Sequence, residues 1–336
     1  MNEIKIEKAG VNIIADNRGL SEEQWRANRM RGIGGSDAGA ILRMNPYSSP
    51  FMVAMEKLGL APPKEETDAM KHGRRMEPIL RNEIVQILKE EGAECVAYES
   101  PYLYQSAEHP IMLANIDGIL DFEKPAVVSG VKLEGLVLLE CKAVSNGGAW
   151  RNGEVPDSYY CQVQHYMAIL RLSYAIIVVL IGNRIAYRVV PRNNEFIEKM
   201  IVAEEAFWAN YIAKRELPEP SGIDNEDDYI SALYPADQAT DAVVRLPDEM
   251  EQLGLRYLEI NGLIKELEEE KNKIKDKFIM AIGFAKIGIA GSIEAPISRY
   301  TRSQFHKDLF EKDYPGVYEN YTETLFIKSL KIRRRG

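Results

Sequence analysis

Cysteine is scarce in this chain of 336 residues: Cys95, Cys141 and Cys161 stand far apart. No CxxC pair and no even-numbered framework can be made from them, which excludes a disulfide-stapled scaffold and a CxxC metal site. Three thiolates also fall short of a four-cysteine iron-sulfur cluster. Long apolar runs are missing as well. The most hydrophobic stretch, YAIIVVLIG at 174–182, suits a buried strand and is well short of the roughly 20 residues that span a bilayer. The opening MNEIKIEKAG has no apolar segment behind a basic start, so no secretory signal is expected and the cytoplasm is the expected compartment. Nor is there a basic surplus. The net charge is −9, and phosphate backbones attract basic surfaces. The basic residues are nevertheless clustered, with Arg26, Arg29 and Arg31 close together, Lys71, Arg74 and Arg75 close together, and a tail ending KIRRRG.

What is present reads as one sizeable core with an appendage. Ser21 followed by Gln24 is a capping-box pattern for a short helix that breaks at Gly32, Gly34 and Gly35. Ser36 is a good N-cap for a second helix through Arg43. Apolar residues from Met76 to Leu88 follow helical spacing, predicting a helix over 73–91. Strands are expected at 95–105, 111–121 and 135–143, a helix at 157–171, and two strands around a Gly182-Asn183 turn. A helix over 194–215 closes the unit. The order predicts an α/β (α+β type) fold, a mixed central β-sheet flanked by helices. The expected division is a core over 1–218, an acidic, Pro-containing linker over 219–246 and a helical extension over 247–336.

In that extension Leu253, Ile260, Leu267 and Ile274 fall seven apart, with Tyr257, Ile264 and Phe278 on the complementary position. This is a heptad pattern, interrupted at Lys271. Its simplest reading is a helical hairpin that packs on itself. A subunit contact, a docking arm and a DNA clamp using Lys331 and Arg333 to Arg335 remain open. A short hairpin is expected within 283–300.

The chemistry sits in LVLLECKAV, residues 136–144. Glu140 and Lys142, two apart, share a face of an otherwise apolar strand. Buried charges are costly unless they pair or bind a metal, and an isolated ExK reads first as an ion pair. Twenty-three residues upstream of Glu140, Asp117 interrupts a second apolar run, IMLANIDGIL. Two acids on adjacent strands with a backbone carbonyl, that of Cys141, give the hard oxygen donors Mg²⁺ prefers, with Mn²⁺ as a substitute. Lys142 supplies a point charge beside them.

An Asp…ExK arrangement across two strands resembles the PD-(D/E)xK nuclease superfamily, although Ile116 stands where that superfamily has its leading proline. Five ordered stretches narrow the resemblance: RGIGGSDAGAILRMNPYSSP, HGRRMEP, ANIDGIL, LLECKA and YYCQVQHYMAIL. In order and spacing they are similar to the YqaJ-type viral recombinase family, which includes phage lambda exonuclease-like alkaline exonucleases. The match spans about residues 20–215 and leaves the region after 220 uncovered.

The resemblance implies a restriction-endonuclease-like core and assigns roles. Glu77 joins Asp117 and Glu140 at the metal, and Gln162 positions the nucleophile with Lys142. Tyr166 lies four residues beyond Gln162. Arg31, Gly35 and Ser36 receive a 5′-phosphate. His165 reads as a packed, hydrogen-bonded histidine, and Trp25 as a core residue first, with a wedge stacking on DNA as the alternative. The activity implied is Mg²⁺-dependent 5′-to-3′ degradation of linear double-stranded DNA, leaving 3′ overhangs for recombination. A homotrimer, a single-strand annealing partner and a phage or prophage source are implied with it. A PD-(D/E)xK endonuclease and a catalytically inactive DNA-binding scaffold are the alternatives.

Overall fold

The computed structural model of the chain describes residues 3–62, 66–145, 147–323 and 330–334. It divides into two units, one ending at Tyr234 and one beginning at Pro235.

In the first unit β1 (Val11–Asp16) precedes α1 (Glu22–Met30). The expected capping box opens α1: Ser21 Oγ accepts from the Gln24 amide at 3.2 Å, and Gln24 Oε1 accepts from the Ser21 amide at 2.9 Å. A two-residue strand, β2 (Ile33–Gly34), leads into α2 (Gly35–Ile41). Ser36 does not cap α2 as expected. The cap is Gly34, whose amide donates to the Asp37 carboxylate at 2.9 Å, so the helix starts two residues earlier and Ser36 lies inside it.

Next come α3 (Pro50–Leu58) and α4 (Asp68–Glu90). The start of α4 precedes the expected one because Thr67 accepts from the Met70 amide at 3.2 Å, a side-chain cap ahead of the apolar stripe. Three short strands follow, β3 (Val96–Tyr98), β4 (Tyr102–Ser106) and β5 (Met112–Ala114), then two long ones, β6 (Gly118–Val128) and β7 (Val131–Val144). After α5 (Asp157–Leu170) the hairpin of β8 (Tyr174–Ile181) and β9 (Arg184–Pro191) forms around Gly182, whose φ of 60° suits glycine. The unit ends with α6 (Asn194–Phe207) and α7 (Glu226–Leu233).

Both sheets are mixed. The larger runs β3-β6-β7-β8-β9, with β7 and β8 parallel and the other pairs antiparallel. The smaller runs β1-β4-β5-β2. Alternation along β7 divides its side chains between two cores. Leu138 packs with Val163, Met167 and Leu170 of α5, while Val137, Leu139 and Cys141 pack with Leu80, Ile84 and Leu88 of α4. The central strands are therefore covered by helices on both faces.

The first unit continues past the expected boundary at 218. The acidic composition of 219–234 conceals an apolar side: Tyr229, Ile230 and Leu233 of α7 pack with Phe51, Met52 and Met55 of α3. Buried Glu226 accepts hydrogen bonds from the amides of Ser221 and Gly222, at 2.8 and 2.7 Å, and pairs with the Ser49 hydroxyl.

The second unit contains α8 (Glu249–Ile282), the hairpin of β10 (Ile287–Ala290) and β11 (Ile293–Pro296), and α9 (Lys307–Asp313). The hairpin falls where it was expected. The heptad segment is one continuous helix of 34 residues, not a helical hairpin: Asn261 and Gly262 stay helical, and the helix ends at Gly283, where φ is positive. Among the described residues of this unit none is buried. Arg335 of the basic tail lies outside the described residues.

Candidate active site

Glu140 and Lys142 lie near the C-terminal end of β7 and point toward α5, as their spacing predicts. Their side chains form the ion pair, Lys142 Nζ to Glu140 Oε1 at 2.6 Å. The same oxygen accepts from Gln162 Nε2 at 2.8 Å, while Glu140 Oε2 is buried with no hydrogen-bond partner. A buried carboxylate oxygen left unsatisfied costs on the order of 1–3 kcal/mol or more. Glu204 Oε2, in the buried pair with His165, is unpartnered in the same way; what sets the Glu140 oxygen apart is a second acid, Asp117, beside it.

Asp117 is not inside a strand, as the apolar run suggested; it occupies the break between β5 and β6. Gly118 pairs with Leu139 across the antiparallel β6–β7 ladder, so one further step of the register sets Asp117 opposite Glu140. The Cys141 amide donates to Asp117 Oδ2 at 2.8 Å. On a strand the amide and carbonyl of one residue face the same neighbour, so the Cys141 carbonyl lies on the Asp117 side.

The electrostatics record how closely the charges are gathered. Burial, then the neighbouring Asp117, pushes Glu140 up from 4.5 to about 8, against the opposing pull of Lys142. Burial also raises Asp117, with Lys142 and the Cys141 amide opposing. Burial alone would lower Lys142, yet Glu140 and Asp117 hold it above its ordinary range. From α4, Glu77 is raised to about 7 by burial and then by Asp117, opposed by Arg81, Lys142 and Arg74. Glu77 thus belongs to the same electrostatic cluster. Among the described residues, however, no three His, Cys, Asp or Glu side chains converge as a ready metal cage; the oxygens gathered here are those of Asp117, Glu140 and the Cys141 carbonyl.

Two helices close the site. Tyr166 Oη lies 3.4 Å from Gln162 Nε2. A Cβ on Gly35 would fall 2.5 Å from the Tyr166 ring and 3.0 Å from Gln162 Cγ. A glycine at 35 is therefore a condition for seating the GIGGS segment against α5. Gly39, one turn later, lets the same helix face approach Ser158.

Ser36 is exposed on this segment, but Arg31 is not the arginine beside it. Arg31 is exposed at the C-cap of α1, and Arg29, two residues earlier, donates to Ser36 Oγ at 3.1 Å. Its guanidinium lies over Trp25, 4.9 Å from the ring centroid. Trp25 is 39% exposed rather than in the core. Asp37 anchors the arrangement through buried Lys57 at 2.6 Å and Arg29 at 3.6 Å.

Sequence reasoning also missed Arg81 and an aromatic wall. Arg81, buried four residues after Glu77, lies one turn along the same helix face, a spacing that could have found it. Lys142 Nζ lies 4.9 Å from the Tyr159 ring centroid, and Tyr159 stacks on buried Trp150. His165 is packed and hydrogen-bonded, as expected: its ring nitrogens lie 2.8 Å from Glu204 Oε1 and 3.1 Å from the Leu113 carbonyl.

Among solved structures, LHK-Exo in complex with dAMP, an alkaline exonuclease from Laribacter hongkongensis, is similar at a TM-score of 0.42 and 18% identity, over 57% of this chain and 93% of that one. A phage-related exonuclease from Haemophilus somnus 129PT gives a TM-score of 0.38 and 13% identity, over 57% of this chain and all of that one. A Bacillus subtilis (strain 168) relative, the uncharacterized protein YqaJ, is 26% identical over 327 residues, covering 96% of this chain and 97% of its own. Residues 24–172, which include Asp117, Glu140, Lys142, Gln162 and the GIGGS segment, are similar to the YqaJ-like viral recombinase domain.

Proposed function

We propose that the protein is a Mg²⁺-dependent exonuclease that degrades one strand of linear double-stranded DNA from its 5′ end, leaving 3′ single-stranded overhangs for phage-type recombination by single-strand annealing. The observation that carries this reading is the buried Asp117–Glu140 pair, with Lys142 and Gln162 on one Glu140 oxygen and the other unpartnered. The YqaJ-like viral recombinase domain supports the recombination setting.

The donors fit a hard divalent cation. Asp117, Glu140 and the Cys141 carbonyl would hold Mg²⁺, or Mn²⁺ in its stead, with Glu77 adding negative charge beside them. The ion, when bound, acidifies water and neutralises charge developing on a phosphate. Lys142 orients the attacking water and stabilises negative charge at the phosphate, and its bond to Glu140 holds the ammonium in position. Gln162, fixed between Glu140 and Tyr166, offers its amide to the water or to a phosphate oxygen. Tyr166 holds Gln162 and contacts the DNA. Arg29, with Ser36, takes the terminal-phosphate role expected of Arg31, since a guanidinium and a hydroxyl 3.1 Å apart can grip the same oxyanion. Gly35 allows that grip to lie against α5.

A homotrimer, a single-strand annealing partner and a phage- or prophage-encoded protein acting in the host cytoplasm complete the proposal; these rest on the family resemblance. The test is digestion of end-labelled linear duplex, 5′-phosphorylated or 5′-hydroxyl, beside covalently closed circular DNA, with Mg²⁺ or with EDTA. The expected outcome is loss of 5′-phosphorylated linear DNA alone, abolished by EDTA and by Lys142→Ala, with the phosphate preference erased by Arg29→Gln. Cutting of the closed circle would turn the reading to an endonuclease. A folded protein that cuts nothing with Mg²⁺ or Mn²⁺ would turn it to an inactive DNA-binding scaffold.

A further inference from the structure

The heptad stripe of α8 is exposed along its length. Leu253, Tyr257, Ile260, Ile264 and Leu267 each keep between 39% and 64% of their surface, and Ile274 and Phe278 are similarly open. A helix with an apolar stripe owes most of its stability to packing that stripe against something. Among the described residues of its own unit none covers the stripe, and none of them is buried.

The charges of α8 say what covers it. From Glu249 to Glu270 the helix carries seven glutamates against Arg256 and Lys265; from Lys271 to Ile282 it carries four lysines against Asp276. The first segment is net −5 and the second +3. Two copies laid parallel would set acid on acid and base on base. Laid antiparallel, each acidic segment meets a basic one, and like charges are kept apart. DNA or an anionic membrane would be repelled by the glutamates, and neither leaves a heptad stripe as its mark.

We propose that α8 pairs with α8 of a second copy of this chain as an antiparallel coiled coil. One register joins the C-terminal part of the stripe, residues 263–282, with the charges. Leu267 faces Phe278 of the second copy and Lys271 faces Ile274, which sets Glu268 against Lys275 and Glu270 against Lys277, each contact occurring twice by the two-fold axis. Lys271, the one break in the stripe, then lies beside that axis, where a single polar residue at a core position selects register at some cost in stability. The contact is isologous, so it doubles whatever assembly the first unit forms.

The test uses the full chain. Light scattering after gel filtration should give the wild type twice the mass of Ile264→Asp/Ile274→Asp. Lys275→Glu/Lys277→Glu should also halve the mass, and adding Glu268→Lys/Glu270→Lys to that chain should restore it, which a variant that had merely misfolded could not do. Orientation is read by mixing separate Leu267→Cys and Phe278→Cys chains under mild oxidation. A mixed disulfide, with neither chain linking to itself, is expected. Self-linked Leu267→Cys chains would make the pair parallel, and a wild type with the same mass as the Asp variant would remove the second copy as the occupant. Neither result touches the hydrolytic reading, which is scored on DNA.

Discussion

In the first unit the apolar side chains of α4, α5 and the large sheet close over a group of charges, whereas in the second a helix of 34 residues lies open with its charges sorted by sign along its length. The difference is one of what the surroundings do to a charge. A carboxylate such as Glu140, shut away from water, is raised to about 8 and interacts strongly with whatever is next to it. The glutamates of α8 are solvated, and each exposed ion pair is worth at most about 1 kcal/mol. They act collectively, on the orientation of a partner. Reactivity is concentrated where burial is complete, and recognition is spread where burial has yet to happen.

The sharpest way to break this contrast is to remove a partner from a buried pair. His165→Leu leaves Glu204, fully buried, without its imidazole, and should cost about 3–5 kcal/mol in the denaturant unfolding of the first unit. A loss below about 1 kcal/mol would mean that water reaches the pair and the interior is not as closed as described.

Next in size is Glu140→Gln. It should lower the hydrolytic rate by about 10²–10³-fold, as removal of one preorganised polar group does elsewhere, while making the metal-free protein more stable in alkali. The sign follows from Glu140 holding its proton more tightly folded than unfolded. Between the ordinary value of 4.5 and about 8 the folded state binds more protons, so stability falls as pH rises through that window. Melting curves in EDTA from pH 5 to 8 should therefore slope downward for the wild type, and less so for the variant. Equal slopes would show that Glu140 does not carry the effect.

The boundary between the units can be tested by truncation. A chain ending at Tyr234 should unfold like the first unit of the full protein. One ending at Pro220 loses α7 and, with Tyr229 alone, about 1.5–3 kcal/mol of burial, besides the Glu226 hydrogen bonds. Identical midpoints for the two truncations would place the boundary near 218 after all. The smallest effect is expected from Gly35→Ala, where a methyl group meets the Tyr166 ring. About 1–3 kcal/mol of overpacking should appear in the melting temperature, together with slower hydrolysis.

Much of the site was legible because strand alternation is strict: an acid and a lysine two apart must share a face, and an acid on the facing strand must meet them. Ser21 and the Gly182 turn were legible for the same local reason. What failed depended on a single residue step or on distant partners. Asp117 lies just outside a strand because the ladder ends at Gly118. Arg29 replaces Arg31 because the last turn of α1 directs one and not the other toward Ser36, a difference no composition reveals. Helix α7 read as linker because its acidic side dominates the sequence while its apolar side finds α3, far back in the chain. The heptad of α8 was plain, but its folding back was an inference from burial that the chain does not perform within itself.

The absence of a side chain at residue 35 has a consequence beyond fit. With nothing between them, the turn that bears Ser36 and the helix that bears Gln162 share one surface, and Gln162 in turn touches Glu140. Three segments far apart in sequence become a ruler of fixed length, from the exposed hydroxyl to the buried carboxylates. A substrate held at one end would present the same bond at the other every time.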